Sequence, residues 1–288
     1  MSGRARAAKY EQQSVREVRE LLLAAQASGV DKLDAHLLMG FCTGRSRTWL
    51  IAHDDSLMPA DQQAEFVELV ARRAAGEPLA YLLGEKEFHG LSLKVNANVL
   101  VPRPDTEVLV AWALEVLRCE FSAHAAPRVI DLGCGSGAIA LAVKHAWPQA
   151  EVTAVDASAD ALAVAQSNAD ALGLDVRFLL SDWWQGVGSE RFDLALSNPP
   201  YIADEDPHLA ALSHEPTMAL TSGPDGLEAL RIIIAGAGAH LHENSLLLLE
   251  HGHDQSAKVQ VLLSQSGFRH SQSRRDLAGH LRCTGGRV

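Results

Sequence analysis

The chain has 288 residues, of which 47% are hydrophobic and 21% charged, with 25 basic against 36 acidic side chains. This is globular composition and excludes disorder as the main state. A net charge of −11 also disfavours a protein that binds by neutralising many phosphates.

Residues 11–75 read as helical. Val15, Val18, Leu22 and Ala25 recur at three- to four-residue spacing ahead of Gly29. Asp31 is placed to cap a second helix carrying Leu33, Leu37 and Phe41 on one face and ending near Gly44. Pro59 and Asp61 open a third with Ala64, Val67 and Ala71. A small helical bundle is expected over 1–75, without a chemical constellation of its own. After Gly76-Glu77-Pro78 the period shifts to two. Leu91, Leu93, Val95, Ala97 and Val99 alternate with polar residues, and Gly84 and Gly90 punctuate a hairpin. Val101-Pro102-Arg103-Pro104 is stiff and extended, because a residue before proline is kept out of the helical region. The linker is placed at 76–105.

From 106 to 288 strands and helices alternate. Strands are predicted at Val129–Leu132, Val152–Val155, Val176–Leu180, Phe192–Leu196 and Ser245–Glu250, with two weak ones near 268–273 and 280–287. Helices are predicted through Ala146, over Ser158–Leu172 up to Gly173, over Leu227–Ala239 and over Asp254–Ser266. Repeated βα units predict an α/β domain with a parallel doubly wound sheet. The loop at 203–225 is long and acidic, and long loops in compact domains tend to be functional.

The charge is uneven. Residues 1–105 carry 13 basic and 14 acidic groups, and residues 106–288 carry 12 and 22. Cys42, Cys119, Cys134 and Cys283 form no zinc spacing and are expected as reduced thiols. The histidines at 240, 242, 251 and 253 lack helical ligand pairing, so no metal is expected. No apolar run approaches the length of a membrane span. No apolar stretch follows Arg4, Arg6 and Lys9, so no secretory signal is expected and a cytoplasmic location is.

Three motifs carry chemistry. Asp131-Leu132-Gly133-Cys134-Gly135-Ser136-Gly137-Ala138 sits between a strand and a helix. Its glycines admit close approach of backbone to a ligand, and the helix aims its free N–H groups at it. Asp156, at the end of the next strand, can accept from both hydroxyls of a ribose. An acid at Asp131 would repel a pyrophosphate but suits an ammonium. S-adenosylmethionine is therefore favoured over a dinucleotide. After the third strand, Asp182 can accept from an adenine amino group and Trp183 can pack on the ring. Asn198-Pro199-Pro200-Tyr201 ends the fourth strand, at the carboxyl edge where such folds bind ligands. Its prolines remove donors, leaving the Asn198 oxygen and the Pro199 carbonyl as acceptors that match the two hydrogens of a planar –NH2. Tyr201 can cover the face of that group.

These motifs resemble the seven-stranded Rossmann-like S-adenosylmethionine methyltransferases that act on planar nitrogens. More narrowly, the chain resembles the HemK/PrmC family of peptide chain release factor glutamine N5-methyltransferases. The supporting stretches are Gly76–Tyr81 with Gly84 and Phe88, and Val101-Pro102-Arg103-Pro104-Asp105-Thr106-Glu107. Glu215-Pro216 with Ala219-Leu220 and Asp225-Gly226-Leu227, and Asp276-Leu277-Ala278-Gly279 with Arg282, Gly286 and Arg287, add to them. His89 and His214 depart from the family's aromatic residues. The resemblance implies that Gly133, Cys134, Gly135, Ser136 and Gly137 hold the methionine end with Asp131. Asp156 would take the ribose, and Asp182 with Trp183 the adenine. Asn198, Pro199, Pro200 and Tyr201 would take the substrate glutamine, from the Gly-Gly-Gln loop of a release factor. It further implies that the helical block docks that protein. A monomer is expected, and the acidic balance of 106–288 leads to no expected direct contact with nucleic acid. The rivals are an adenine N6-methyltransferase using the same Asn198–Tyr201 geometry, a non-catalytic cofactor-binding adaptor, and an NAD-dependent oxidoreductase.

Overall fold

The structure is a computed structural model that describes residues 15–122 and 126–288. The expectations for 11–14 and for Arg4, Arg6 and Lys9 lie outside the described residues. The chain divides between Leu83 and Gly84 into two compact units.

The first unit is all helical: α1 (Val18–Ala27), α2 (Lys32–Thr43), α3 (Arg47–Ala52), α4 (Ala60–Ala74) and α5 (Leu79–Leu83). The short α3 and α5 carried no periodic signal long enough to predict them. Asp31 does cap α2, its side chain accepting from Leu33 N at 2.7 Å, and Gly44 ends that helix in the left-handed region. The buried faces differ from the predicted stripes. In α2 the core takes Ala35, Leu38, Met39 and Cys42, while Leu33, Leu37 and Phe41 are exposed. In α4 it takes Phe66, Leu69 and Val70, while Val67 is exposed. Both helices carry apolar residues on two faces, and packing against the neighbouring helices decides which face enters the core. Arg73 ties α4 to α2 through Asp34 at 2.8 Å.

The second unit opens with an antiparallel hairpin, β1 (Glu85–Phe88) and β2 (Leu91–Lys94), turned through His89 and Gly90 at positive φ. The predicted strand stops at Lys94, although Val95 and Val99 remain buried. After Pro104–Thr106, a single 3-10 turn, comes α6 (Glu107–Glu120), a helix not among those expected from the sequence. Its face of Leu109, Val110, Trp112, Ala113, Val116 and Leu117 is buried.

The remaining order is β3 (Arg128–Leu132), α7 (Ala138–Ala146), β4 (Glu151–Asp156), α8 (Ala159–Leu172), β5 (Arg177–Leu180) and β6 (Phe192–Ser197). Then follow α9 (Glu228–His240), β7 (Leu241–Glu250), α10 (Ser256–Gln265), β8 (Arg269–Arg275) and β9 (Leu281–Arg287). The seven strands form one sheet ordered β5-β4-β3-β6-β7-β9-β8. The first five are parallel, but β9 runs antiparallel to β7 and β8 antiparallel to β9, so the sheet is mixed rather than wholly parallel. One apolar cluster packs α6, α7, α8 and the hairpin on one face, and a second packs α9 and α10 on the other. β9 approaches α6 closely. A Cβ at Gly285 would meet Leu248 Cδ2 at 2.4 Å and Trp112 Cη2 at 3.0 Å, so only glycine fits.

The strand order reverses at β3, whose neighbours are β4 on one side and β6 on the other. Such a reversal leaves a crevice beyond the carboxyl ends of the strands, which is where an open α/β sheet binds its ligand.

Candidate active site

A cavity of about 250 Å3 occupies that crevice. Gly133, Cys134, Gly135 and Ser136 line it, with Asp156, Asp182 and Trp183, and the segment Asn98–Pro102 contributes Asn98, Val99, Leu100 and Pro102. A smaller cavity of about 70 Å3 adjoins it, lined by Arg103, Pro199, Tyr201 and Leu212 among others. Asn198 lines both, so the two cavities meet at this residue.

Each wall has a local cause. Gly133, Gly135 and Gly137 all sit at positive φ, so the loop turns between β3 and α7 without strain. Gly135 N donates to Asp156 Oδ2 at 2.9 Å and Ser158 N to Oδ1 at 2.9 Å. Each carboxylate oxygen therefore spends one lone pair on backbone and keeps one for a ligand hydroxyl. Asp182 is exposed, holding only Gln185 Nε2 at 3.0 Å. Trp183 sits at φ 49, an unfavourable conformation for an aromatic residue, with its carbonyl fixed by the Ser181 hydroxyl at 2.8 Å. Its ring comes within 3.2 Å of where a Cβ on Gly133 would lie.

Two of the expected cofactor residues stand back from the cavity. Asp131 is wholly buried beneath the loop and does not line it. Its Oδ2 accepts from Ala140 N at 3.1 Å in the first turn of α7, and its Oδ1 has no partner. Burial raises its carboxyl to about 7. Gly137 also lies outside the lining and precedes α7, and a Cβ there would press on Leu141 and Ala165.

At the end of β6, the Ser197 hydroxyl donates to Leu132 O at 2.6 Å and locks β6 to β3. Asn198 Nδ2 donates to Thr106 Oγ1 at 3.1 Å, while Asn198 Oδ1 is buried without a partner. A buried acceptor left unsatisfied costs about 1–3 kcal/mol, which a ligand donor can return. Pro199 is buried and Pro200 faces the larger cavity. The Tyr201 hydroxyl donates to Glu250 Oε1 at 3.4 Å, and burial raises that phenol. The Tyr201 carbonyl accepts from Gln255 Nε2 at 2.9 Å.

Three supporting residues, Thr106, Glu215 and Gln255, carry no signal of their role in the sequence, and a fourth, Glu250, only that of an acid closing an otherwise apolar strand. Glu215 is buried, pairs with Arg103 and accepts from Val101 N at 3.0 Å, pinning the 203–225 loop beside the cavities. Among the described residues no group of three or more His, Cys, Asp or Glu could hold a metal ion.

The chain matches the family described as "PrmC N-terminal domain" over residues 13–84 and "Methyltransferase small domain" over residues 111–221. It is 51% identical to the release factor glutamine methyltransferase of Bordetella pertussis, over 90% of this chain and 95% of that one. It is 46% identical to that of Burkholderia pseudomallei, over 91% and 94%. Among solved structures it is similar in fold to the T. thermophilus 16S rRNA N2 G1207 methyltransferase in complex with AdoMet and guanosine. That similarity has a TM-score of 0.54 at 18% identity and covers 70% of this chain and 49% of that one.

Proposed function

The chain belongs to the release factor glutamine methyltransferase family, and we propose that it methylates the side-chain nitrogen of the Gly-Gly-Gln glutamine of a release factor, using S-adenosylmethionine. The observation that carries the site assignment is the unpartnered Asn198 Oδ1 where the two cavities meet.

The residues around the larger cavity fit the cofactor. Gly133, Cys134, Gly135 and Ser136 would hold its amino-acid end near the N-terminus of α7. Asp156 has one free lone pair on each oxygen for the ribose hydroxyls, and Asp182 with Trp183 would take the adenine. Asp131 and Gly137 would act from behind, by fixing the loop and the start of α7. When bound, S-adenosylmethionine supplies an electrophilic methyl group.

An amide nitrogen is a poor nucleophile because its lone pair is delocalised. This chain's part is chiefly placement. Asn198 Oδ1 and the Pro199 carbonyl would each accept one amide hydrogen, which fixes the plane of the –NH2 and the direction of its lone pair. Such orientation is worth up to roughly 7–11 kcal/mol. The same acceptors stabilise positive charge growing on nitrogen. Tyr201 would cover the amide face. A methylated amide cation is acidic enough to lose its proton to water, so no dedicated base is needed.

The helical unit would dock the release factor. The exposed row of Leu33, Leu37 and Phe41, four residues apart along α2, supports this. The enzyme would work as a monomer without direct nucleic-acid contact. No helix among the described residues is long and apolar enough to cross a membrane.

The test is mass spectrometry of a release factor incubated with protein and cofactor. A gain of one methyl group on the Gly-Gly-Gln peptide supports the reading, and label entering DNA adenine instead would overturn it. Asn198→Ala should lower turnover by about 100-fold while cofactor affinity holds. Near-normal turnover in that variant would remove Asn198 from the mechanism.

A further inference from the structure

We propose that Arg103 is a substrate-binding residue that donates to the carbonyl oxygen of the target amide, opposite the two acceptors that take its –NH2 hydrogens. The proposal rests on the glutamine reading above.

A side-chain amide has three polar sites, two hydrogens on nitrogen and an acceptor oxygen. Asn198 Oδ1 and the Pro199 carbonyl answer the hydrogens, and a buried oxygen left without a donor is costly. Among the side chains that line the smaller cavity, only those of Arg103, Asn198 and Tyr201 carry an N–H or O–H. Asn198 directs its Nδ2 to Thr106 Oγ1 at 3.1 Å, and the Tyr201 hydroxyl goes to Glu250 Oε1 at 3.4 Å. Arg103 differs from both. One arm of its guanidinium, Nη2, is held by Glu215, and its other N–H groups have no hydrogen-bond partner among the described residues. Arg103 is partly exposed and lines both cavities, as Asn198 does.

Both ends of Arg103 are fixed. Its backbone is extended, at φ −100° and ψ 142°, between Pro102 and Pro104, and its carbonyl accepts from Thr106 N at 3.1 Å. Its tip is tied to Glu215, whose other oxygen takes Val101 N at 3.0 Å. A forked guanidinium holds that carboxylate with one arm and offers donors to the cavity with the others, a geometry that a lysine ammonium does not match. The donors are thus in place before the substrate arrives. The contact has a kinetic signature. A donor on the amide oxygen favours the delocalised ground state, in which that oxygen carries negative charge. The delocalisation is lost as nitrogen takes the methyl group. The contact therefore weakens along the reaction and contributes to binding more than to rate.

The experiment compares the full-length wild type with Arg103→Met, and with Arg103→Met combined with Glu215→Gln so that no charge is left buried and unpaired. The probes are a Gly-Gly-Gln peptide and the same peptide with ornithine in place of glutamine, which keeps the chain length and terminal nitrogen but lacks the carbonyl oxygen. Affinities are read by calorimetry on protein loaded with S-adenosylhomocysteine, and turnover by steady-state kinetics. Both variants should bind the glutamine peptide about tenfold more weakly and raise its KM to match, with kcat moved far less. Affinity for the ornithine peptide should hold or improve, because its ammonium no longer faces a guanidinium. A general loosening of the site would weaken both peptides alike. Equal losses for the two peptides, unchanged affinity for the glutamine peptide, or a fall in kcat at constant KM overturns the proposal. If the wild type binds the glutamine peptide without methylating it, the glutamine reading fails alone, and the ratio of affinities still decides the role of Arg103. A wild type that binds no glutamine peptide overturns both.

Discussion

The side-chain amide of Asn168 stands in for a neighbouring strand beside Lys94. Lys94 N donates to Asn168 Oδ1 at 2.7 Å, and Asn168 Nδ2 donates back to Lys94 O at 3.1 Å and to Ser136 O at 3.0 Å. One buried residue on α8 thereby joins the end of the hairpin to the glycine loop. The segment after the hairpin and that loop both line the larger cavity, so their spacing depends on this amide. Asn168→Ala strands three backbone groups, and its cost should be about 2–3 kcal/mol. Calorimetric titration should also show weaker cofactor binding. Wild-type stability in urea together with wild-type cofactor affinity would show that the bridge is dispensable.

The helical unit offers a sharper contrast between neighbours. Phe66 is 1% exposed and Val67 is 49% exposed on the same helix. Phe66→Ala should cost about 3–5 kcal/mol. Val67→Ala should stay within about 0.5 kcal/mol. Chemical denaturation of the two variants compares them directly, and equal losses would mean that the helix is rotated. Asp31, Gly29 and Gly44 marked helix ends because capping is decided within a few residues. Which apolar stripe faces inward is decided by the other helices, and Val67 and Phe66 look alike to a periodicity count.

The same division runs through the second unit. The glycine loop, Asp156, Asp182 and Asn198 were legible because each follows a strand that the pattern already marked. Antiparallel β8 and β9 were not legible as such, since alternation of strand and helix carries no pairing direction. The partners of the site were hidden by distance along the chain. Asn198 finds Thr106 92 residues away, and Arg103 finds Glu215 112 residues away.

Glu215 is buried while the Arg103 side chain is 39% exposed, so the pair is screened on one side. Its value lies more in holding the loop than in raw stability, because Glu215 also takes Val101 N. Glu215→Gln should cost only about 1–2 kcal/mol in unfolding. It should raise KM for the release factor peptide several-fold, because Arg103 and Leu212 both line the smaller cavity. Steady-state kinetics with peptide and cofactor varied in turn separates the effects. A change confined to the cofactor's KM would count against the loop assignment.

Asp131 gives a prediction about pH and stability. Its carboxyl is raised by burial to about 7 in the folded chain, with Asp156 adding to the rise while the Ala140 N–H opposes it. Unfolded, an aspartate titrates at about 3.9. Between these values the folded chain binds a proton that the unfolded chain has released. The stabilising contribution is therefore complete below about pH 4 and is lost as pH rises through about 7. Glu250 acts in the same direction, so the free wild-type protein should lose stability from these two groups between mildly acidic and mildly basic pH. Asp131→Asn keeps an oxygen for Ala140 N and has no proton to exchange. The difference between the urea midpoints of wild type and variant should then change steadily with pH, the variant gaining on the wild type as pH rises. Parallel midpoint curves would mean that Asp131 stays charged in the folded protein, held by a partner other than the Ala140 amide.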